Sequence, residues 1–213
     1  MSVKVTLPDG SSREFDSSVT PADVAEDISS GLARAAVAAE VDGAMVDLTT
    51  PLTTGSHDVR LLTNRDPESL EVLRHTTAHV LAQAMVRLFG KDVKYTIGPA
   101  LLDDFQYGFY YDFDLPRAIS GEDLQKVESE MKKIVKEKLP IERIEMPVDE
   151  AKQAMRDIGQ DYKAEMIDDL VATENVRTVS FYRQGDFIDM CRGPHLPHTG
   201  KVQAFKLVST AGA

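Results

Sequence analysis

The chain has 213 residues, of which 42% are hydrophobic and 28% charged, and its formal net charge is −11. This composition is that of an ordinary globular protein with enough apolar material for a core, and the length favours a small domain joined to a medium-sized one. The acidic excess argues against a general nucleic-acid-binding protein, because binding of the phosphate backbone draws on clustered Lys and Arg. It leaves room for RNA contact through a local basic face.

Two features bear on where the protein works. No apolar run approaches the roughly 20 residues that span a bilayer, and the N-terminus lacks the apolar core of a signal peptide. The single cysteine, Cys191, has no second cysteine with which to form an internal disulfide. We therefore expect a cytoplasmic protein without a membrane partner.

The N-terminal residues predict a β-hairpin. Residues 3–7 alternate between apolar and polar side chains, as a half-buried strand does. Pro8-Asp9-Gly10 is a strong turn signal, and residues 13–15 can return as the second strand. We find no catalytic constellation here.

A capped helix and further strands follow the hairpin. Thr20 suits the N-cap, Asp23 can complete a capping box, and Gly31 is placed to end the helix. Further strands are expected at residues 35–41, 44–48 and 57–62, with His57 as a surface histidine. This order, with the Thr-Leu-Pro-Asp-Gly opening at residues 6–10, resembles the TGS domain, a ubiquitin-like β-grasp module at the front of threonyl-tRNA synthetases and some GTPases. We predict such a domain over residues 1–63.

A second domain, predicted over residues 64–213, begins with a helix at about residues 68–88. His75 and His79 are four residues apart, so their imidazoles project from one face of that helix. The spacing alone is weak evidence for a site, because two hydrogen-bonded histidines at a helix–sheet contact would show the same pattern.

The rest of the second domain mixes helices with antiparallel strands, which predicts an α+β fold. Lys163 lies near the N-terminus of one of these helices. The predicted helices are residues 122–139, 149–158 and one from residue 162, and the predicted strands are residues 107–114, 141–146, 176–182, 187–191 and 205–208.

Cys191 and His195 flank a Gly-Pro turn that can aim both side chains at one point. Together with His75 and His79 they form a plausible ligand set for tetrahedral zinc. The alternative for Cys191 is a buried small hydrophobic residue. We expect the fold to bring the two stretches into one hydrolytic pocket.

The same four residues carry a family resemblance. The His75-x-x-x-His79 and Cys191-x-x-x-His195 pairs resemble the editing domain shared by threonyl- and alanyl-tRNA synthetases. The finer motifs resemble the bacterial threonyl enzyme, and they lie at residues 97–99, 108–112, 162–163, 189–195 and 206–213. The resemblance covers essentially the whole chain. Residues 100–107 form a longer connection than the family has, and the aminoacylation and anticodon-binding signatures are absent, so we expect an N-terminal fragment.

The resemblance implies hydrolysis of the ester that joins serine to threonine-specific tRNA. It implies His75, Lys163 and His195 as the catalytic residues: His75 positions substrate and water, and Lys163 assists by hydrogen bonding or charge stabilisation. The implied partners are tRNA(Thr) carrying serine and the remainder of the synthetase, with a homodimeric full-length enzyme.

The resemblance also implies the residues that bind the substrate. Asp189 would bind its amino group or orient a neighbouring side chain, Cys191 would shape the pocket with His195, and His79 would act as an orienting residue. No metal or other cofactor is favoured for editing. If zinc is present, the candidate ligands are His75, His79, Cys191 and His195.

Two other functions are consistent with the same residues. A zinc-dependent hydrolase of small-molecule esters or amides would need metal and would turn over without RNA. A non-catalytic, tRNA-binding regulatory module would bind RNA without deacylating it. The complete set of motifs disfavours the non-catalytic module, because a site that had lost its activity should have lost some of these residues.

Overall fold

A computed structural model describes residues 2–16, 18–104 and 106–212. The chain forms two compact units, one made of residues up to Leu73 with Gly193–Pro197 and one made of Arg74–Arg192 with the residues from His198 onward. The predicted domain boundary after residue 63 stays a prediction. Among the described helices, none combines the length and the apolarity needed to cross a membrane.

The first unit is built on a mixed five-stranded sheet with the strand order β2-β1-β5-β3-β4. Strands β1 and β5 are parallel, and the other neighbouring pairs are antiparallel. The elements are β1 (Val3–Thr6), β2 (Ser12–Phe15), α1 (Pro21–Ile28), α2 (Ser30–Ala35), β3 (Ala36–Val41), β4 (Ala44–Val46) and β5 (Gly55–Thr63). The predicted β-grasp architecture is confirmed.

Helix α1 begins as predicted but ends earlier. The Thr20 hydroxyl accepts from the Asp23 backbone and the Asp23 carboxylate accepts from the Thr20 backbone, which is the expected capping box. The prediction that Gly31 ends this helix is wrong. The Ser29 side chain accepts a hydrogen bond from the Leu32 amide and so starts α2, which contains Gly31.

The core of the first unit packs α1 against the sheet. Val24 of α1 is fully buried among Val3, Val5 and Val59 of the strands. His57 of β5 is half-buried rather than exposed.

The second unit combines helices with two antiparallel sheets, and the predicted α+β class is confirmed. Strands β8, β9 and β10 form one sheet in the order β10-β9-β8, and β6 pairs with β7 in the other. The elements are α3 (Ser69–Phe89), whose residues from Arg74 onward belong to this unit, β6 (Lys94–Tyr95), β7 (Phe113–Asp114), α4 (Gly121–Glu137), β8 (Ile141–Pro147), α5 (Val148–Asp157), α6 (Asp161–Glu174), β9 (Thr178–Gln184), β10 (Phe187–Met190) and a 3-10 turn at Thr199–Lys201.

The core of the second unit is formed by α5 and α6 against the sheet of β8, β9 and β10. Met155 of α5, Ile167 of α6 and Phe181 of β9 have no exposed surface. This packing fixes one end of α6 beside one end of β10, and those ends carry two of the predicted site residues, Lys163 and Asp189.

Two predicted strands are wrong. Of residues 107–114 only Phe113–Asp114 pairs as a strand, with an isolated bridge at Phe109, because the Asp104 carboxylate holds the Gln106 and Tyr107 amides in a turn. Residues 205–208 form no strand, since the Leu207 amide donates to the Glu128 carboxylate instead of a ladder partner.

Candidate active site

Helix α3 presents His75 and His79 on one face, as their spacing predicts. Their ring centroids are 5.1 Å apart and the rings are nearly perpendicular. His75 is half-buried, whereas His79 is only 2% exposed. Burial, together with the nearby His75 and Lys163, lowers the pKa of His79 well below its usual value, so its ring is neutral near pH 7.

Lys163 and Asp189 form a buried ion pair. Lys163 is the third residue of α6 and Asp189 is the third residue of β10. The Lys163 ammonium lies 2.7 Å from Asp189 Oδ1 and 3.4 Å from the Met190 carbonyl oxygen. Both side chains are at most 3% exposed, so each charge depends on the other for compensation.

Asp189 has two further neighbours. The Tyr111 hydroxyl donates to Asp189 Oδ2, and His79 Nε2 lies 3.4 Å from the same oxygen. Burial, followed by the Asp189 charge, raises the pKa of Tyr111 well above its usual value and keeps the phenol protonated as a donor. Asp189 is therefore the centre of a buried network that joins α3, α6, β10 and the residues before β7.

Two tyrosines enclose the lysine of this network. The Lys163 ammonium lies 5.8 Å from the Tyr95 ring centroid and 5.9 Å from that of Tyr111, within cation–π range. Tyr111 lies within the predicted strand of residues 107–114 and is not among the predicted site residues. A tyrosine hydroxyl needs a polar partner when it is buried, and that was the available signal.

Cys191 follows β10 and has its backbone held by β9. Its amide donates to the Ser180 carbonyl oxygen at 3.2 Å, and the Ser180 hydroxyl donates to the Cys191 carbonyl oxygen at 2.7 Å. The Cys191 side chain is half-buried. Its sulfur and one ring nitrogen each of His75 and His79 all lie within 4.8 Å of one another.

His195 belongs to the segment Gly193–Pro197, which is grouped with the first unit. It is 1% exposed, and its backbone amide donates to Asp47 Oδ1 at 2.8 Å. Gly193 has φ +73°, a left-handed conformation that favours glycine. The predicted role of His195 stays a prediction.

A cavity of about 610 Å³ joins the site residues of the second unit. Its wall includes Gly98, where an added methyl group would collide with the Tyr111 ring, so glycine is required for Tyr111 to reach Asp189. The site residues that line the cavity are His75, His79, Tyr111, Lys163, Asp189 and Cys191. The volume lies within the range of small-molecule pockets, about 300–1,000 Å³.

The donor set in this cavity fits zinc by its chemistry. Imidazole nitrogen and thiolate sulfur are the usual zinc ligands, and tetrahedral bonds of about 2.0–2.3 Å place ligand atoms about 3.3–3.8 Å apart. The ligand atoms of His75, His79 and Cys191 lie within 4.8 Å of one another, which places all three near a common point.

The chain matches two family models. Residues 3–63 match the TGS domain, and residues 179–212 match the threonyl and alanyl tRNA synthetase second additional domain. The second match includes Asp189, Cys191 and His195 but not α3 or α6.

Three bacterial proteins called threonine–tRNA ligase illustrate the relatives of this chain. Those of Syntrophotalea carbinolica and Clostridioides difficile are 50% and 51% identical over 99% of the chain, which spans 32% of each. That of Thermotoga maritima is 48% identical over 100% of the chain, which spans 31% of it. The chain thus carries a TGS domain and a tRNA synthetase second additional domain, and it corresponds to the N-terminal third of bacterial threonine–tRNA ligases.

Proposed function

We propose that this chain edits mischarged tRNA by hydrolysing the ester that joins serine to threonine-specific tRNA. The observation that carries the proposal is one cavity lined by the His75–His79 pair, the Lys163–Asp189 ion pair and Cys191, in a chain similar to the N-terminal third of threonine–tRNA ligases. Ester hydrolysis needs a positioned water, a proton acceptor and stabilisation of developing negative charge, and this set of residues can supply all three.

In the proposed reaction the water oxygen bonds to the ester carbonyl carbon and the bond to the ribose oxygen breaks. The water gives up a proton, and the ribose oxygen takes one as it leaves. His75 is the residue we assign to positioning the water and handling its proton. Its ring is half-buried and lines the cavity, and an imidazole has one nitrogen that can donate a hydrogen bond and one that can accept.

Lys163 is assigned to the negative charge that develops on the carbonyl oxygen. Its ammonium has three N–H donors, and the Asp189 carboxylate and the Met190 carbonyl fix its position. Because Asp189 is 1% exposed and engaged by Lys163 and Tyr111, we propose that it orients these neighbours rather than binding the substrate's amino group.

The remaining predicted residues shape the amino-acid pocket. His79, buried and neutral, packs edge-on against His75 and orients it. Cys191 contributes a half-buried wall. For His195, four residues along the chain from Cys191, we keep the predicted role of shaping the amino-acid pocket and helping to hold the water.

Selectivity in the proposal comes from excluding the larger amino acid. A synthetic site gains only about 1–3 kcal/mol from the methyl group that distinguishes threonine from serine, so serine is attached too often. A second pocket too small for that methyl reverses the bias. The proposal includes tRNA(Thr) carrying serine as substrate, the remainder of the synthetase as covalent partner, a homodimeric full-length enzyme and a cytoplasmic location.

A zinc-dependent hydrolase is the second candidate, because His75, His79 and Cys191 offer a zinc-type donor set. If zinc were bound by these residues and His195, it would polarise the carbonyl and activate water. We propose that editing needs no metal. Protein purified without chelator should then keep its activity in EDTA and contain no stoichiometric zinc, whereas tightly bound zinc at one per chain would favour the second candidate.

The proposal is tested by offering the protein tRNA(Thr) charged with serine. At high protein concentration we expect release of serine, abolished in His75→Ala and in Lys163→Ala. His57→Ala and Lys126→Ala are matched controls outside the cavity lining and should release serine at the wild-type rate. RNA binding without deacylation would instead favour a non-catalytic module.

A further inference from the structure

The outer part of the cavity is formed by the end of α6 and by the residue after Cys191. Asp169 and Glu174 come from the last two turns of α6, and both line the cavity together with Arg192. Two carboxylates repel a polyanionic RNA strand, and the chain as a whole carries −11. A substrate with a phosphate backbone therefore needs a local cation at this rim.

Arg192 is placed to be that cation. Among the described residues that line the cavity, the Lys and Arg side chains are Lys163 and Arg192. Lys163 is 3% exposed and paired with Asp189, whereas the Arg192 side chain is 72% exposed. The positive charge that the lining presents to solvent is thus that of Arg192.

The contact that holds Arg192 is exchangeable. Its guanidinium donates to the Glu174 carboxylate, whose side chain is itself 45% exposed. An ion pair so open to water contributes little to stability. A guanidinium bound to phosphate makes a charge-assisted, frequently bidentate contact, so a phosphodiester can compete with the carboxylate.

We propose that Arg192 is a phosphate-binding residue for the 3′ end of the tRNA, and that Glu174 holds it at the cavity rim until the RNA displaces the carboxylate. This inference rests on the proposed editing function and adds to it a residue that binds the substrate's backbone. It concerns phosphates only, so the amino-acid pocket and the chemistry of hydrolysis are independent of it.

The two members of the pair are expected to have opposite effects. Arg192→Gln removes the phosphate ligand, whereas Glu174→Gln removes the competitor and leaves the arginine available. If the pair served only to hold the end of α6, both substitutions would weaken tRNA binding. The sign of the Glu174→Gln effect therefore separates the two roles.

The test is single-turnover deacylation of seryl-tRNA(Thr) with protein in excess, measured over a range of salt concentrations. Arg192→Gln should raise the half-saturating protein concentration about tenfold, with little change in the maximal rate. Glu174→Gln should lower that concentration about threefold. The dependence of log affinity on log salt should become shallower by about 0.7 in Arg192→Gln, as for one lost contact to a single strand. Arg192→Lys should restore most of that slope.

Two controls separate this inference from the proposed function. Serine esterified to adenosine carries no phosphate, so the loss caused by Arg192→Gln should vanish on that substrate. Arg183→Gln changes an exposed arginine of β9 that does not line the cavity and should behave as wild type. If wild type hydrolyses both esters but Arg192→Gln is unchanged, or Glu174→Gln weakens binding, this inference alone is overturned. If wild type hydrolyses neither, the proposed function fails and this inference with it.

Discussion

The two units each contain a histidine beside an aspartate, and the two pairs behave in opposite ways. In the first unit, His57 Nδ1 lies 2.7 Å from Asp42 Oδ2 and His57 Nε2 lies 2.9 Å from the Thr53 carbonyl oxygen. Both acceptors need a proton from the ring, so they favour the imidazolium, and the hydrogen bond to Asp42 raises the pKa of His57. In the second unit, burial holds His79 neutral beside Asp189.

The difference lies in exposure and in neighbouring charges. The Asp42 side chain is 51% exposed and that of Asp189 only 1%. Water screens the His57–Asp42 pair, which connects β5 to the turn after β3. The second pair shares its carboxylate with Lys163 and Tyr111, and its groups line a cavity. The same residue types thus make a surface contact in one unit and a candidate catalytic network in the other.

Removal of the charge at Asp189 should have the largest effect. Asp189→Asn leaves the Lys163 ammonium buried without compensation, which we expect to lower the free energy of unfolding by about 3–5 kcal/mol. Asp42→Asn, the matched change in the first unit, should cost about 1 kcal/mol or less. Urea unfolding followed by circular dichroism measures the free energy of unfolding of both variants. Equal losses would show that the Asp189 network and the His57–Asp42 pair contribute equally to stability.

The position of Tyr111 can be tested through Gly98. Gly98→Ala places a methyl group against the Tyr111 ring, and we expect a loss of about 1–3 kcal/mol in stability from overpacking, together with slower deacylation. Gly121→Ala is the control, because no atom of the described residues lies within 4 Å of its added methyl and Ala is favoured in a helix. Wild-type stability and deacylation in Gly98→Ala would mean that the Tyr111 contact is dispensable.

The sequence predicted the local features of the fold better than its long-range contacts. The capping box at Thr20 was readable because its two residues, Thr20 and Asp23, lie within four residues. The shared face of His75 and His79 follows from helical periodicity. The bond between Tyr111 and Asp189 joins residues 78 apart in the chain, and periodicity reports which side of an element is buried, not which polar group it meets there.

The strand wrongly predicted at residues 205–208 also results from a long-range polar contact that the sequence pattern does not report. Its apolar alternation resembles a strand, but Glu128 on α4 accepts from Lys132, Lys206 and the Leu207 amide. These contacts hold the pKa of Glu128 at about 2, with the Lys132 hydrogen bond as the largest cause. A carboxylate about 80 residues away therefore decides the path of this segment.

The smallest expected effect is the pH dependence of the stability that the His57–Asp42 pair contributes to the first unit. The folded-state pKa of His57 is raised above the usual 6.5, so its stabilising contribution is complete below that value and is lost as the pH rises through the raised pKa. The stability difference between wild type and His57→Gln should shrink as the pH rises from below 6.5 through the raised pKa, by about 0.5 kcal/mol or less given the exposure of Asp42. A difference that grows with pH would mean that the ring is neutral.

We propose that the cavity around Lys163 and Asp189 removes serine from tRNA(Thr). The most direct measurement is the ratio of deacylation rates for the same tRNA charged with serine and with threonine, at saturating protein. We predict rapid loss of serine, retention of threonine, and loss of the difference in Lys163→Ala. Equal release of both amino acids, or release of neither at the highest protein concentration, would contradict the claim.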